Sequence, residues 1–219
     1  MCFSATASFV SAGIVGAAGI LSLSKVETPN QKYFAAIPLV FAVQQIAEGF
    51  VWISFNSVAT PTWQDIPIKI FLFFAIVVWP TLVPYSVWKF EENKKRKRFQ
   101  FVFLTAGLIF STVAAWYMFN YSSSASIAEH HVYYKLDFPL RNAPIVSIFY
   151  IGATVVSLLL SSKKWVPGLG LLILSSYIVT NFYYKDYLIS VWCFFAAVLS
   201  ALIYLMVTHR IKVFEPKTT

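Results

Sequence analysis

The residue with the most chemistry to offer is Glu48. It lies in the segment FAVQQIAEGFVW, with Gln44 at i−4, Gln45 at i−3 and Trp52 at i+4. On a helix that spacing sets two amides, a carboxyl and an indole on one stripe. The segment is apolar enough to cross a bilayer, and Glu48 falls about seven residues, or about 10 Å, from its end. A charged residue at mid-span costs about 3 kcal/mol, and no Lys or Arg is expected in the interior beside it. A metal, a proton or a cationic ligand is therefore the expected partner, with Glu48 the catalytic candidate and Gln44, Gln45 and Trp52 the ligand-binding ones. The structural alternative is a neutral Glu hydrogen-bonded to amides and hydroxyls.

Two other segments could complete a site with it. Cys2 stands just ahead of the first apolar run, and Glu129-His130-His131 precedes the fifth. A thiolate, one or two imidazoles and a carboxylate are the ligand types zinc takes, and three protein ligands with one open position would lower the pKa of bound water to about 7. The expected metal set is Cys2, Glu48, His130 and His131, with zinc as the metal and copper, using Cys, His and Met1, as the softer alternative. No two of these residues show helical metal spacing such as HExxH. Adjacent His130 and His131 point different ways on most backbones and can be ordinary loop residues. Cys2 could instead pair with Cys193, the other cysteine, and whether Met1 is removed is left open.

The elements that must position these residues are membrane spans. The 219 residues are 58% hydrophobic, 18% aromatic and only 12% charged, with mean hydropathy +0.69. About a quarter charged is normal for a soluble domain. That composition excludes a soluble enzyme, a collagenous chain and a disordered tail. Apolar runs between polar breaks predict an all-α, single-domain bundle of seven helices at about 5–24, 33–55, 67–89, 100–120, 144–161, 165–184 and 187–208. Pro80 and Pro84 should kink the third. The segment at about 121–143 is too short for a soluble domain.

Thirteen of the 17 Lys and Arg residues, including the run Lys94 to Arg98, fall on one side of this layout. The positive-inside rule then puts the N-terminus outside and the C-terminus in the cytoplasm. The net charge of +8 is read as topology, and no nucleic-acid partner is expected. No basic n-region precedes the first run, so it is expected to be a retained span rather than a signal peptide. Polar stripes at helical spacing predict inward faces: Ser4, Ser8 and Ser11; Thr112, Trp116 and Asn120; Ser147, Tyr150, Thr154, Ser157 and Ser161; Ser176, Thr180 and Tyr184. Trp52, Trp79, Trp116 and Trp192 are the deeper tryptophans.

The opening MCFSATASF together with PLVFAVQQIAEGFVW resembles an uncharacterised family of bacterial integral membrane proteins, and the likeness extends over the whole seven-helix layout. The resemblance implies a multi-pass inner-membrane protein with its N-terminus outside, and implies no activity. Three functions compete. The first is a metalloprotein with an outward site, of the kind a zinc-dependent hydrolase of a lipid or small molecule would use. The second is a proton-coupled transporter or receptor for a small ligand centred on Glu48, and the third a structural membrane protein. A retinal protein is disfavoured, because 187–208 contains no Lys for a Schiff base.

Overall fold

The computed structural model describes residues 4–56, 61–128, 130–139 and 144–208. Seven helical elements make up the described chain: α1 Ala5–Ser24, α2 Pro29–Phe55, α3 Asp65–Phe90, α4 Lys94–Asn120, α5 Pro144–Leu159, α6 Val166–Tyr183 and α7 Lys185–Thr208. All but α5 are long and apolar enough to cross a membrane, and α5 is a shorter apolar helix. Their outward surfaces are as apolar as their interior, with Ile14, Phe99, Ile109, Ile148 and Phe182 all more than half exposed. A soluble monomer rarely shows so much contiguous apolar surface; lipid chains are the solvent such a surface suits.

Local sequence explains where the helices begin. Ser4 caps α1 by accepting from the Ala7 N–H at 3.2 Å. Asn93 caps α4 by accepting from the N–H groups of Lys95 and Arg96, each at 3.1 Å. That cap starts α4 six residues earlier than the apolar pattern predicts, so the basic run at 94–98 is the first turn of a helix rather than a loop. Replacing Asn93 with Ala leaves two N–H groups without that acceptor. We expect thermal unfolding to report a loss of about 1 kcal/mol.

Two of the long elements contain five-residue π segments, Phe74–Val78 in α3 and Gly152–Val156 in α5. Proline explains the first. Pro80 has no N–H to give to Ile76, and Pro84, inside the helix, has none to give to Pro80. Carbonyls loosened by the interruption find partners on neighbouring helices. Tyr150 Oη donates to the Ala75 carbonyl at 2.6 Å, and Ser111 Oγ to that of Val77 at 2.7 Å. The predicted disruption in α3 is thus a widened turn stapled to α4 and α5.

α1 and α2 form an antiparallel pair packed through small residues. A Cβ on Gly16 would meet Ala42 at 3.3 Å, one on Gly19 would meet the Leu39 backbone N at 2.5 Å, and one on Gly49 would meet the Phe9 ring at 2.6 Å. The same register brings Ser8 and Ser11 level with the Gln45 to Trp52 stretch.

The chain is not wholly α-helical. Ser123–Ala128 (β1) and His131–Leu136 (β2) form an antiparallel hairpin, with Ala128 opposite His131 and Ser123 opposite Leu136. The alternation in HVYYKL accounts for it: Val132 and Tyr134 are buried while Tyr133 and Lys135 are exposed. Val132 and Tyr134 join a core with Val51, Trp52, Phe71, Leu72 and Cys193, and Tyr134 stacks on Phe71 at 4.7 Å. The hairpin closes one end of the bundle, the end at which α2 finishes and α7 begins.

The predicted stripe on α4 is reversed. Thr112, Trp116 and Asn120 are exposed, and the buried face carries Gln100, Leu104, Gly107, Ser111 and Ala114. Thr112 and Asn120 satisfy themselves by donating to carbonyls one turn back, both at 2.8 Å. A polar side chain bonded to its own helix can face outward, which spacing alone does not disclose. On α5, Ser147 is likewise exposed, while Thr154, Ser157 and Ser161 are buried as expected.

Candidate functional site

α2 is the most buried of the long helices, and its inward stripe is polar. Gln44, Gln45 and Glu48 are fully buried and Trp52 nearly so. Glu48 Oε1 accepts from Ser190 Oγ on α7 at 2.5 Å, tying the two helices at the depth of the carboxyl. One turn along α2, Gln44 Oε1 accepts from the Trp79 indole N–H on α3 at 2.7 Å, and the Cys193 thiol lies near the same amide. Three helices therefore converge on α2 at this level: α1 with its serines, α3 with Trp79, and α7 with Ser190 and Cys193.

What distinguishes this centre is how much of its polarity stays unused. Among the described residues, no hydrogen-bond partner is found for both amide atoms of Gln45, Nε2 of Gln44, the indole Nε1 of Trp52, or the hydroxyls of Ser8 and Ser11. Each buried polar atom left this way costs about 1–3 kcal/mol. The group is rich in N–H and O–H donors, with the Gln45 carbonyl as an acceptor.

A second buried carboxylate shows what a purely structural solution looks like in this protein. Glu91, between α3 and α4, is only 1% exposed, and sequence spacing gives no sign of it because it falls between two spans. It accepts from the Ser162 N–H at 2.7 Å, the Ser162 hydroxyl, the Asn93 N–H at 3.0 Å and Ser161 Oγ at 3.5 Å. Arg96 adds a bond to the Ser161 carbonyl at 2.8 Å. Burial alone would raise the Glu91 carboxyl, but the Ser162 and Asn93 bonds and the nearby Lys163 charge outweigh it and hold it below its ordinary 4.5. A carboxyl lowered in the folded state stabilises fully above the ordinary value and loses that contribution as pH falls through the lowered one. Glu91→Gln should therefore unfold at a lower temperature than wild type near neutral pH. The gap should narrow as pH is taken down below 4.5, a trend that melting curves across that range will read.

The described members of the predicted metal set, Glu48, His130 and His131, do not form a metal-binding group. His130 is exposed in the hairpin turn, whereas His131 is buried and stacks on Tyr187 at 4.7 Å, with Tyr184 edge-on at 5.2 Å. Neighbouring positions at the start of a strand face opposite ways, so the pair cannot act as one chelate. Among the described residues no three of His, Cys, Asp and Glu are grouped closely enough to hold a metal ion. Zinc and copper thus find no support here, while Cys2 and Glu129 lie outside the described residues. Cys193 is a free buried thiol, and the alternative pairing with Cys2 falls on a residue outside the described ones. Of the four deeper tryptophans, Trp52, Trp79 and Trp192 are buried and Trp116 is 55% exposed.

Comparison with known proteins places the whole chain. A family described as a family of unknown function, DUF6629, matches residues 1–217. The chain belongs to that family. No curated protein and no solved structure matches it. In this DUF6629 chain the candidate centre is therefore the α2 stripe of Gln44, Gln45, Glu48 and Trp52, and the reading of its chemistry rests on its own residues.

Proposed function

We propose that the chain is a seven-span protein of the bacterial inner membrane, N-terminus outside and C-terminus cytoplasmic, that binds a small ligand in its interior as a transporter or receptor. The observation that carries this reading is Gln45: a fully buried amide with no partner for either of its polar atoms. A Leu of similar size would pack there without leaving an amide unsatisfied. The amide is retained, on this reading, because a ligand completes its hydrogen bonds, together with those of Gln44, Trp52, Ser8 and Ser11. Glu48, bonded to Ser190, supplies the ionisable group at the same depth and is the candidate for coupling binding to a proton. The orientation follows the basic residues, which gather at the end opposite the hairpin.

The test is what comes away with the protein. After gentle purification and denaturation, mass spectrometry of the released small molecules should show a species present in wild type and depleted in both Gln45→Leu and Glu48→Gln. Identical extracts from all three proteins would sink the reading. Elemental analysis of the same preparations belongs beside it: stoichiometric zinc or copper would replace an organic ligand with a metal.

A further inference from the structure

Next to the polar centre lies a cavity of about 50 Å³ whose walls come from α2, α3, α5, α6 and α7. None of its lining residues is acidic, basic or a histidine. Phe41 and Trp79, stacked with ring centroids 3.7 Å apart, form one wall, and Leu158, Leu169, Trp192 and Ala196 contribute to the others.

The polar groups in the wall are already committed to the protein. Tyr150 donates to the Ala75 carbonyl, Thr154 to that of Tyr150, Trp192 to that of Ile173 and Ser200 to that of Ala197. Trp79 donates to Gln44. With those hydrogens used, the wall offers an occupant almost nothing but hydrocarbon, so water is a poor filler and an apolar group a good one. At one place, however, the cavity touches Trp79 and Cys193, the two residues that meet the Gln44 amide. The Nε2 of that amide has no partner, and neither polar atom of Gln45, the next residue on α2, has one.

We infer that the cavity takes a single short hydrocarbon chain whose uncharged head, bearing a hydroxyl or carbonyl, is held by Gln44 and Gln45. This rests on the reading of the polar centre as a ligand site and specifies the ligand as a small single-chain amphiphile. Size agrees with one chain. A water needs roughly 10–15 Å³ in this measure, so the cavity holds about four water-sized groups, too few for a two-chain lipid. Donors dominate among the waiting groups and no Lys or Arg lines the cavity, which favours a neutral oxygen head over an anionic one.

Trp79 and Trp192 line the cavity, so a heavy-atom quencher on the chain reports occupancy directly. Full-length protein in phosphatidylcholine nanodiscs is titrated with 4-bromobutan-1-ol and, separately, with 1-bromobutane, which has the chain without the head. Wild type should show saturable tryptophan quenching by the alcohol. Its half-saturation should be at least about tenfold lower than in Ala196→Phe, which fills the cavity. Ser200→Leu fills it from another position, should Ala196→Phe not fold. In Gln45→Leu the alcohol should lose its advantage over 1-bromobutane.

Equal quenching in wild type and both filling variants means partition into the bilayer alone and overturns the chain site. If filling has no effect while Gln45→Leu still removes a preference for the alcohol, the polar centre stands as a ligand site and the chain proposal falls. If filling abolishes quenching but Gln45→Leu changes nothing, the head contact is refuted, and with it the polar centre as the ligand's anchor.

Discussion

Gly107→Ala should be among the most damaging single substitutions in the bundle, although it adds one methyl group to a helix. The methyl would be driven into the carbonyl oxygen of Pro80 on α3 and would lie 2.9 Å from that carbonyl's carbon and 3.3 Å from the Ala153 Cβ on α5. None of these neighbours is a flexible side-chain end. The Pro80 carbonyl is backbone, and because Pro84 has no N–H it lacks the i+4 donor that would hold it within its own helix. The close approach of α4 is therefore part of how α3 accommodates its prolines. Forcing the helices apart also strains the neighbouring Ser111 contacts to Thr81, at 2.9 Å, and to the Val77 carbonyl. The expected loss is about 3 kcal/mol, the upper end of the usual range for overpacking. Gly13→Ala is the matched control. Nothing lies within 4 Å of a Cβ there, and the better helix former should raise stability by about 0.5–1 kcal/mol. Denaturation in a single detergent reads both. Similar melting temperatures for the two variants would mean that α3 and α4 are not in the contact described.

Gln45→Leu should move stability and function in opposite directions. In most cores, removing a buried amide breaks hydrogen bonds and destabilises. Here neither polar atom of Gln45 has a partner among the described residues, so the substitution removes a desolvation cost and adds apolar packing. We expect the variant to be more stable than wild type by about 1–3 kcal/mol while losing the co-purified ligand. That pairing separates a binding role from a structural one, since an amide that organises the core would destabilise when replaced. Gln44→Leu is the contrast. It strips the Trp79 indole of its 2.7 Å acceptor and should destabilise. If Gln45→Leu melts lower than wild type, the amide is already satisfied within the protein and the main argument for a ligand is lost.

The apolar, membrane-suited character, the positions of the helices and the burial of the polar α2 stripe were legible in order along the chain. Each depends on local patterns: apolar run length, helical spacing and the placement of Lys and Arg. Glu48 stood out because a carboxyl surrounded by apolar residues is anomalous whatever packs against it, and Gln44, Gln45 and Trp52 followed by spacing. The same local reasoning failed where satisfaction of a polar group was decided elsewhere. Thr112 and Asn120 were expected to face inward because polar groups need partners, yet each found one in its own backbone. Glu91 falls between two predicted spans with no local sign of burial, because Ser161 and Ser162, which bind it, lie some seventy positions later. The hairpin at Ser123–Leu136 falls in the segment read only as a loop at about 121–143, although the alternation of HVYYKL carries its pattern.

By itself the sequence determined the solvent this protein suits, its helical elements and the polar stripe on α2, because hydrophobicity and periodicity act over a few residues at a time. Only the tertiary structure decided which polar atoms are matched. It paired Glu48 with Ser190 and Gln44 with Trp79, parted His130 from His131, left Gln45 without a partner, and set an apolar cavity beside it. Those outcomes depend on helices distant in sequence meeting at one depth, and whether a buried donor meets an acceptor is a property of that meeting rather than of either segment alone.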